Sequence, residues 1–283
     1  MNEGSMISST NCIVCDSVKI GFTYASLRRC HDCGFVFADS DLSDDDYRKL
    51  YGEGYFSGEE YANYVDDRPS LERNLAFFLR LLLPYVEHRR TLLEIGCSYG
   101  FFLNLARSRF DAIGIDINAS GPAYACEKLG VNAVSADIRT HDFAGRKFDV
   151  FCMWDTIEHI PDLPGCMERI VELASSDAML FLTTNDIGSL NARLRRHRWR
   201  QIHPPTHLWY FSRRTIRHFL AKYGFEVLEL RSVGYSRSVG NMLHNVLKGR
   251  LAVPRALLNR AGIGRVNFCL NLGDIFWLAA RKV

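Results

Sequence analysis

Three carboxylates recur at one kind of position: Glu94 in "LLEIGCSYG", Asp116 in "DAIGIDIN" and Asp137 in "VSADI". Each closes a short apolar run that reads as a buried strand. Taken singly, each acid reads first as a helix cap or a turn residue. At the ends of three successive strands they read together, as acceptors for a ligand that carries hydroxyl and amino donors. Asp116 suits a ribose, accepting from both hydroxyls. Asp137 suits the amino group of an adenine, with Ile117 and Ile138 packing on the base. The loop Gly96-Cys97-Ser98-Tyr99-Gly100 lets a ligand approach bare backbone. It lacks the GxGxxG spacing of a dinucleotide site, because Ser98 and Phe101 stand where the second and third glycines belong. Glu94 would also repel a phosphate. A ligand with a ribose, an ammonium group and no phosphate fits better.

S-adenosylmethionine (SAM) is such a ligand. Its sulfonium already provides a good leaving group, so a protein that uses it has mainly to align donor and acceptor. Trp154 and Asp155, at the end of the fourth strand, should line the same pocket. Glu158 and His159 follow in "WDTIEHIPD", where histidine suits the removal of a hydroxyl proton near neutral pH and Glu158 can orient the ring. His203 and His207, in "HPPTHLWY", are alternative bases beside Trp209 and Tyr210; the same loop reads as a proline-stiffened turn that His207 merely pins. The arginine-rich run "RLRRHRWR", residues 193–200, reads as a solvated helix face. Next to an acceptor loop, it would also hold a phosphate-bearing acceptor such as a nucleotide sugar.

A second set of residues points to a metal. Cys12 and Cys15 form one CxxC pair, and Cys30 and Cys33 another, in "CIVCDSVKIGFTYASLRRCHDCGFVF". Four thiolates presented from two tight turns suit a closed tetrahedral zinc site, which stabilises a segment too short to build its own core. With no open coordination position, that ion is expected to be structural. Cys97, Cys126, Cys152, Cys166 and Cys269 lie singly in apolar sequence and read as small core residues.

The elements that must position these groups follow from the pattern. From residue 91 onward strands are expected at 91–96, 111–117, 131–135, 147–154, 177–184, 225–232 and 274–283, with helices in most of the gaps. That alternation predicts an α/β fold, a Rossmann-like, mostly parallel sheet with helices on both faces. Ahead of it, a zinc ribbon is expected over 1–42 and an acidic, aromatic linker or lid over 43–69. In that linker Ser43 and the acids after it mark a helix start. The apolar periodicity of 70–88 predicts a helix covering one face of the domain at 70–283. Residues 235–272 are too long for an unstructured loop and are expected to be a helical insertion. Their basic, amphipathic part, 241–266, reads first as core packing, with covering the acceptor site, forming a homodimer face or lying on a membrane surface as alternatives.

Composition sets the outer bounds. With 283 residues, 47% of them hydrophobic, the chain can bury a full core, and its net charge of +3 does not by itself call for nucleic acid. The best membrane-span candidate, 75–86, is broken by Arg80 and Pro84. The first residues lack a charged start followed by an apolar run, so a cytoplasmic setting is expected.

Residues 91–160 resemble a class I SAM-dependent methyltransferase: "LLEIGCSYG", "IGIDIN", "SADI" and "FDVFCMWDTIEHI" stand in that family's order. Serine at 98 departs from the glycine often found there. The stretch 203–227 is similar to the corresponding part of the small-molecule members, and the segment ending in "CHDCGFVF" resembles the zinc-binding extension of some of them. The resemblance implies a seven-stranded sheet whose last strand is antiparallel and inserted before the sixth. It also implies a Glu-His pair at the active site. The expected function is methylation of a small molecule, at oxygen of a sugar or natural-product scaffold. C-methylation of a nucleotide-linked ketosugar is the alternative, although relatives that do this carry a further carboxy-terminal domain. RNA modification through the ribbon is disfavoured by its few basic residues, Lys19, Arg28 and Arg29.

Overall fold

A computed structural model describes residues 11–39, 42–51, 67–238 and 267–283. Its centre is the alternating part of the chain. Strands β4 (Thr91–Ile95), β5 (Asp111–Asp116), β6 (Asn132–Ser135), β7 (Phe148–Trp154) and β8 (Ala174–Asn185) pair in parallel, in the order β8-β7-β4-β5-β6. Strand β13 (Ile275–Lys282) runs antiparallel beside β8, and β10 (Phe225–Ser232) lies outside it. The result is the expected seven-stranded sheet with its single reversed strand between the fifth and the sixth. Leu92, Val150, Phe181 and Trp277 bury one face and Leu93, Phe151, Leu180 and Leu278 the other, so both faces need cover.

Helices provide it. Helix α2 (Arg68–Leu82) starts on Pro69 and buries Phe78 and Leu82 against α3 (Phe101–Ala106). Gly100 starts α3 with φ +72°, and a Cβ there would come within 2.6 Å of Ala125 Cβ, so the loop can turn into the helix this closely only with glycine. Helices α5 (Leu163–Leu173) and α7 (Arg213–Lys222) are capped by Asp162 and Ser212, whose side chains accept from the Gly165 and Thr215 amides. The helix start expected at Ser43 is there too. Ser43 and Asp46 form a reciprocal capping box on α1 (Asp44–Leu50).

The amino-terminal segment folds as β1 (Ile20–Phe22), β2 (Leu27–Cys30) and β3 (Val36–Ala38), joined antiparallel. Its sheet gains a fourth strand from the far end of the chain: β9 (Trp209–Tyr210) pairs with β3 through Phe37↔Trp209 and Val36↔Tyr210. Phe35, Phe37, Trp209 and Phe211 pack ring on ring at 5.0–6.2 Å, and their cluster is continuous with the core of the large sheet.

Of the expected linker, 52–66 lies outside the described residues. The expected helical insertion at 235–272 shows two short strands where its ends are described. These are β11 (Tyr235–Ser238) and β12 (Asn267–Leu270), paired antiparallel. Four-residue strands are too short to carry a readable alternation. The basic stretch 241–266 lies outside the described residues. No helix among the described residues is long and apolar enough to cross a membrane.

Candidate active site and four-cysteine cluster

The carboxyl ends of β4, β5 and β6 open into one cavity of about 240 Å³, the place where a parallel α/β sheet presents ligands. Gly96 turns the chain away from β4 with φ +75°. A Cβ there would lie 2.5 Å from Thr156 Cγ2, so the loop after β4 packs on the loop after β7 only because the side chain is missing. Of the residues predicted to meet a cofactor, Gly96, Ser98, Asp116, Ile117, Asp137 and Ile138 line this cavity, as do Trp154 and Asp155 across from them. Cys97 and Gly100 do not; Cys97 is buried against Gly114 and Gly100 caps α3. Glu94 lies behind the loop, 3% exposed, and its Oε2 has no hydrogen-bond partner among the described residues.

Asp116 is anchored by its neighbours: Ser98 N–H donates to Oδ2 and Asn118 N–H to Oδ1, both at 2.8 Å. One lone pair on each oxygen is left to face the cavity. Burial holds Asp116 above the usual carboxylate range despite those two donors. Burial, then the charge of Asp116, pushes Glu94 well up. Two carboxylates desolvated together favour a cationic ligand. Ser98 Oγ and Trp154 Nε1 are likewise buried without partners among the described residues, so the wall holds polar groups that those residues do not satisfy. These features fit SAM, with its ammonium, sulfonium and ribose. Asp137 differs, since Arg139 grips both of its oxygens, with contacts of 2.6–3.1 Å, and reaches on to Asp162 at 3.0 Å.

The wall near β7 collects distant segments. His159 lines the cavity from the turn Ile157–His159. Its Nδ1 lies 2.9 Å from the Thr206 carbonyl oxygen, which can only accept, so Nδ1 carries the proton and Nε2 the free lone pair. Tyr51, at the end of α1, places its hydroxyl 2.9 Å from the same nitrogen and 3.1 Å from the same carbonyl. Burial is the main force lowering His159, to about 4, so the imidazole is neutral near pH 7. Among the described residues Glu158 makes no hydrogen bond to that ring. Thr184 Oγ1 donates to its Oε2 at 2.9 Å and Asn185 Nδ2 to its Oε1 at 3.2 Å, and burial, with Asp155 second, raises it to about 8. His207 stacks edge-on against His159 at 4.6 Å but is not on the cavity wall. His203 is exposed, with its ring turned to Thr206 Oγ1 at 2.7 Å.

Sequence reasoning missed Tyr51 as a site residue, and Tyr235 with it. The Tyr235 hydroxyl lies 2.8 and 2.6 Å from the two oxygens of Asp155. Neither tyrosine belongs to a motif; the only signal was the aromatic character of the segment around Tyr51. The arginine run divides. Its first four arginines lie exposed along α6 (Leu190–Arg195) and the turn after it. Arg200 is exposed as well, but it stands near Asp155 and Tyr235, where loss of solvent and then the charge of Arg237 hold it below the usual guanidinium range.

At the other end of the ribbon sheet, the sulfurs of Cys12, Cys15, Cys30 and Cys33 all lie within 4.8 Å of one another. Cys12 and Cys33 are 3.5 Å apart and Cys15 and Cys30 3.6 Å. Bonds of about 2.3 Å to a tetrahedral zinc would set neighbouring sulfurs about 3.8 Å apart, so the cluster fits such an ion. Burial raises Cys12 to about 11. It also pushes Cys30 up, but the Cys33 and Asp32 amides outweigh it and bring that thiol down to about 7.

A family profile described as "Methyltransferase domain" matches residues 64–230, more than half of the chain. The chain belongs to the methyltransferase-domain family. It is a SAM-dependent methyltransferase with the fold of the small-molecule enzymes. A SAM-dependent methyltransferase from Archaeoglobus fulgidus is similar in fold, with a TM-score of 0.52 at 20% identity over 84% of this chain and 100% of that one. One from Thermotoga maritima has a TM-score of 0.54 at 16% identity, covering 81% and 98%. The magnesium protoporphyrin IX methyltransferase of Synechocystis, solved with bound S-adenosylhomocysteine, has a TM-score of 0.50 at 16% identity, covering 84% and 94%. No curated protein sequence matches the chain.

Proposed function

We propose that this methyltransferase transfers the methyl group of SAM to an oxygen of a small molecule, a sugar or natural-product scaffold, that binds between His159 and Asp155. The observation that carries this reading is the state of His159: neutral, on the cavity wall, with Nδ1–H fixed by the Thr206 carbonyl and Nε2 left as the basic nitrogen. In this reading the adenine lies between Ile117 and Ile138, with Asp137 at its edge. Asp116 takes the ribose hydroxyls. The methionine end reaches Ser98 and Trp154, with the charge of Glu94 behind the loop. As the methyl group moves to the acceptor oxygen, His159 Nε2 receives the hydroxyl proton, and S-adenosylhomocysteine leaves with the electron pair of the broken carbon–sulfur bond. The four cysteines hold a structural zinc.

Arg200 and Arg237 favour an acceptor that carries a phosphate or carboxylate. Their mutual repulsion, close to the cavity-lining Asp155 and Tyr235, would be relieved by an anion between them. A labelled-methyl screen over nucleotide sugars, phenols and RNA tests the assignment, with His159→Ala as the control. The expected result is a small-molecule product. For His159→Ala, kcat should fall by about a hundredfold or more with SAM affinity unchanged. Methylation at carbon would replace the oxygen acceptor, and steeply salt-dependent RNA labelling would overturn the small-molecule reading.

A further inference from the structure

Beside the His159 ring lie a second imidazole and a buried carboxyl group, three side chains of the kind that ligate metals. One ring nitrogen of His159, one of His207 and a carboxylate oxygen of Glu158 all lie within 4.8 Å of one another. Both imidazoles are fixed in the same tautomer from outside. Nδ1 of His159 donates to the Thr206 carbonyl at 2.9 Å, and Nδ1 of His207 to the Gln201 carbonyl at 2.8 Å. In each ring the remaining nitrogen, Nε2, carries a lone pair. Glu158 is 1% exposed and oriented by donors from β8, Thr184 and Asn185; among the described residues no hydrogen bond joins it directly to either ring, although Asn185 Nδ2 also lies 3.3 Å from His207 Nδ1. The turn that bears Glu158 is docked separately, by the Leu208 amide donating to the Glu158 carbonyl at 2.8 Å, so the three side chains are not needed to hold these segments together.

We propose that Glu158, His159 and His207 form a binding site for a divalent first-row transition-metal cation, distinct from the four-cysteine cluster. Two imidazoles with one carboxylate are a donor set for zinc, iron, cobalt or nickel rather than for magnesium or calcium. A backbone carbonyl that accepts from Nδ1–H is the usual outer support of a metal-binding histidine, fixing its tautomer and strengthening Nε2 as a donor. Three protein ligands leave a coordination position open, the pattern of a reactive rather than a structural ion. Of the three, His159 lines the cavity, so an open position on that side would take an oxygen or nitrogen atom of the acceptor. That last use rests on the methyl-transfer reading; the site itself does not. With the cation bound, His159 holds the ion instead of receiving the acceptor's proton, so metal dependence of the rate separates the two roles.

The test is a titration with Co²⁺ of protein whose cysteine cluster holds zinc and which has been dialysed against a weak chelator. Thiolate-to-cobalt charge-transfer bands would reveal any entry into the cysteine cluster, and the nitrogen–oxygen site gives none. The proposal expects one further Co²⁺ per chain, seen as weak ligand-field bands without thiolate bands. It also expects Glu158→Gln and His207→Ala each to weaken that uptake by about tenfold or more. Calorimetric SAM binding, measured in parallel, reports that each variant is folded. No Co²⁺ uptake by the intact protein, or uptake that both variants retain, overturns the site. Loss of SAM binding by the intact protein breaks the methyl-transfer reading and leaves the metal site standing.

Discussion

One wall of the cavity comes from Ile95, Gly96 and Ser98 with residues 115–117 and 136–138, the ends of three neighbouring parallel strands, and the other from Tyr51, His159 and Tyr235, which are far apart in sequence. The first is set by the sheet's own hydrogen bonds. The second depends on ties between segments: Asn118 Nδ2 donates to the Tyr51 carbonyl, Trp209 Nε1 to the Ile160 carbonyl at 2.7 Å, and the Leu208 amide to the Glu158 carbonyl. A wall of the first kind changes little when a remote contact is lost. A wall of the second kind is adjustable, and it should fail separately.

The largest expected effect lies on the sheet-built wall. Asp116→Ala removes the acceptor that anchors the Ser98 and Asn118 amides and faces the ribose. Its charge-assisted hydrogen bonds are worth about 3 kcal/mol, so SAM affinity should fall by about a hundredfold in calorimetry. An equal loss of SAM affinity in variants of the other wall would erase the distinction.

Cys15→Ser should do the reverse. By opening the four-cysteine cluster it would loosen the amino-terminal segment, whose strand β3 holds β9 and through it the loop beside His159. Methyl transfer should drop on the order of tenfold or more, while SAM affinity moves less than about threefold. A smaller effect is expected for Tyr51→Phe. This loses one hydrogen bond to the Thr206 carbonyl, worth about 1 kcal/mol, and should lower kcat by about fivefold in steady-state kinetics with SAM affinity unchanged.

The smallest effect belongs to neither wall. Asp149 sits at the opposite end of β7 and accepts from the Arg90 and Thr91 amides and the Thr91 hydroxyl at 3.0–3.1 Å. Partial burial raises its pKa, but those donors outweigh burial and hold it below the usual carboxylate range. Its stabilisation is therefore present above that range and lost as pH falls through the depressed value. Asp149→Asn should cost about 1 kcal/mol at neutral pH in urea unfolding, with the gap to the parent protein closing in acid and both walls intact.

The same contrast explains what could be read in advance. Strands β4, β5 and β7 were legible to within a residue or two because each is an apolar run ending in a carboxylate or a Trp-Asp pair, and periodicity is a local signal. Ser43 was legible as a helix start for the same reason. Glu158 was expected beside the His159 ring. Adjacent residues on a tight turn point apart, and the partner of each lies in another segment: Thr184 and Asn185 for the acid, Thr206 and Tyr51 for the imidazole. Tyr235 could not be found from a four-residue strand whose pairing partner, β12, begins only at Asn267.

The pairing of β3 with β9 also bears on how the chain is made. Val36 and Phe37 leave the ribosome long before Trp209 and Tyr210, so through most of synthesis the ribbon presents an open edge beside exposed aromatic rings. Such an edge can recruit the wrong strand. Early capture of a metal by the four cysteines would hold that edge in its final shape until the strand that closes it arrives.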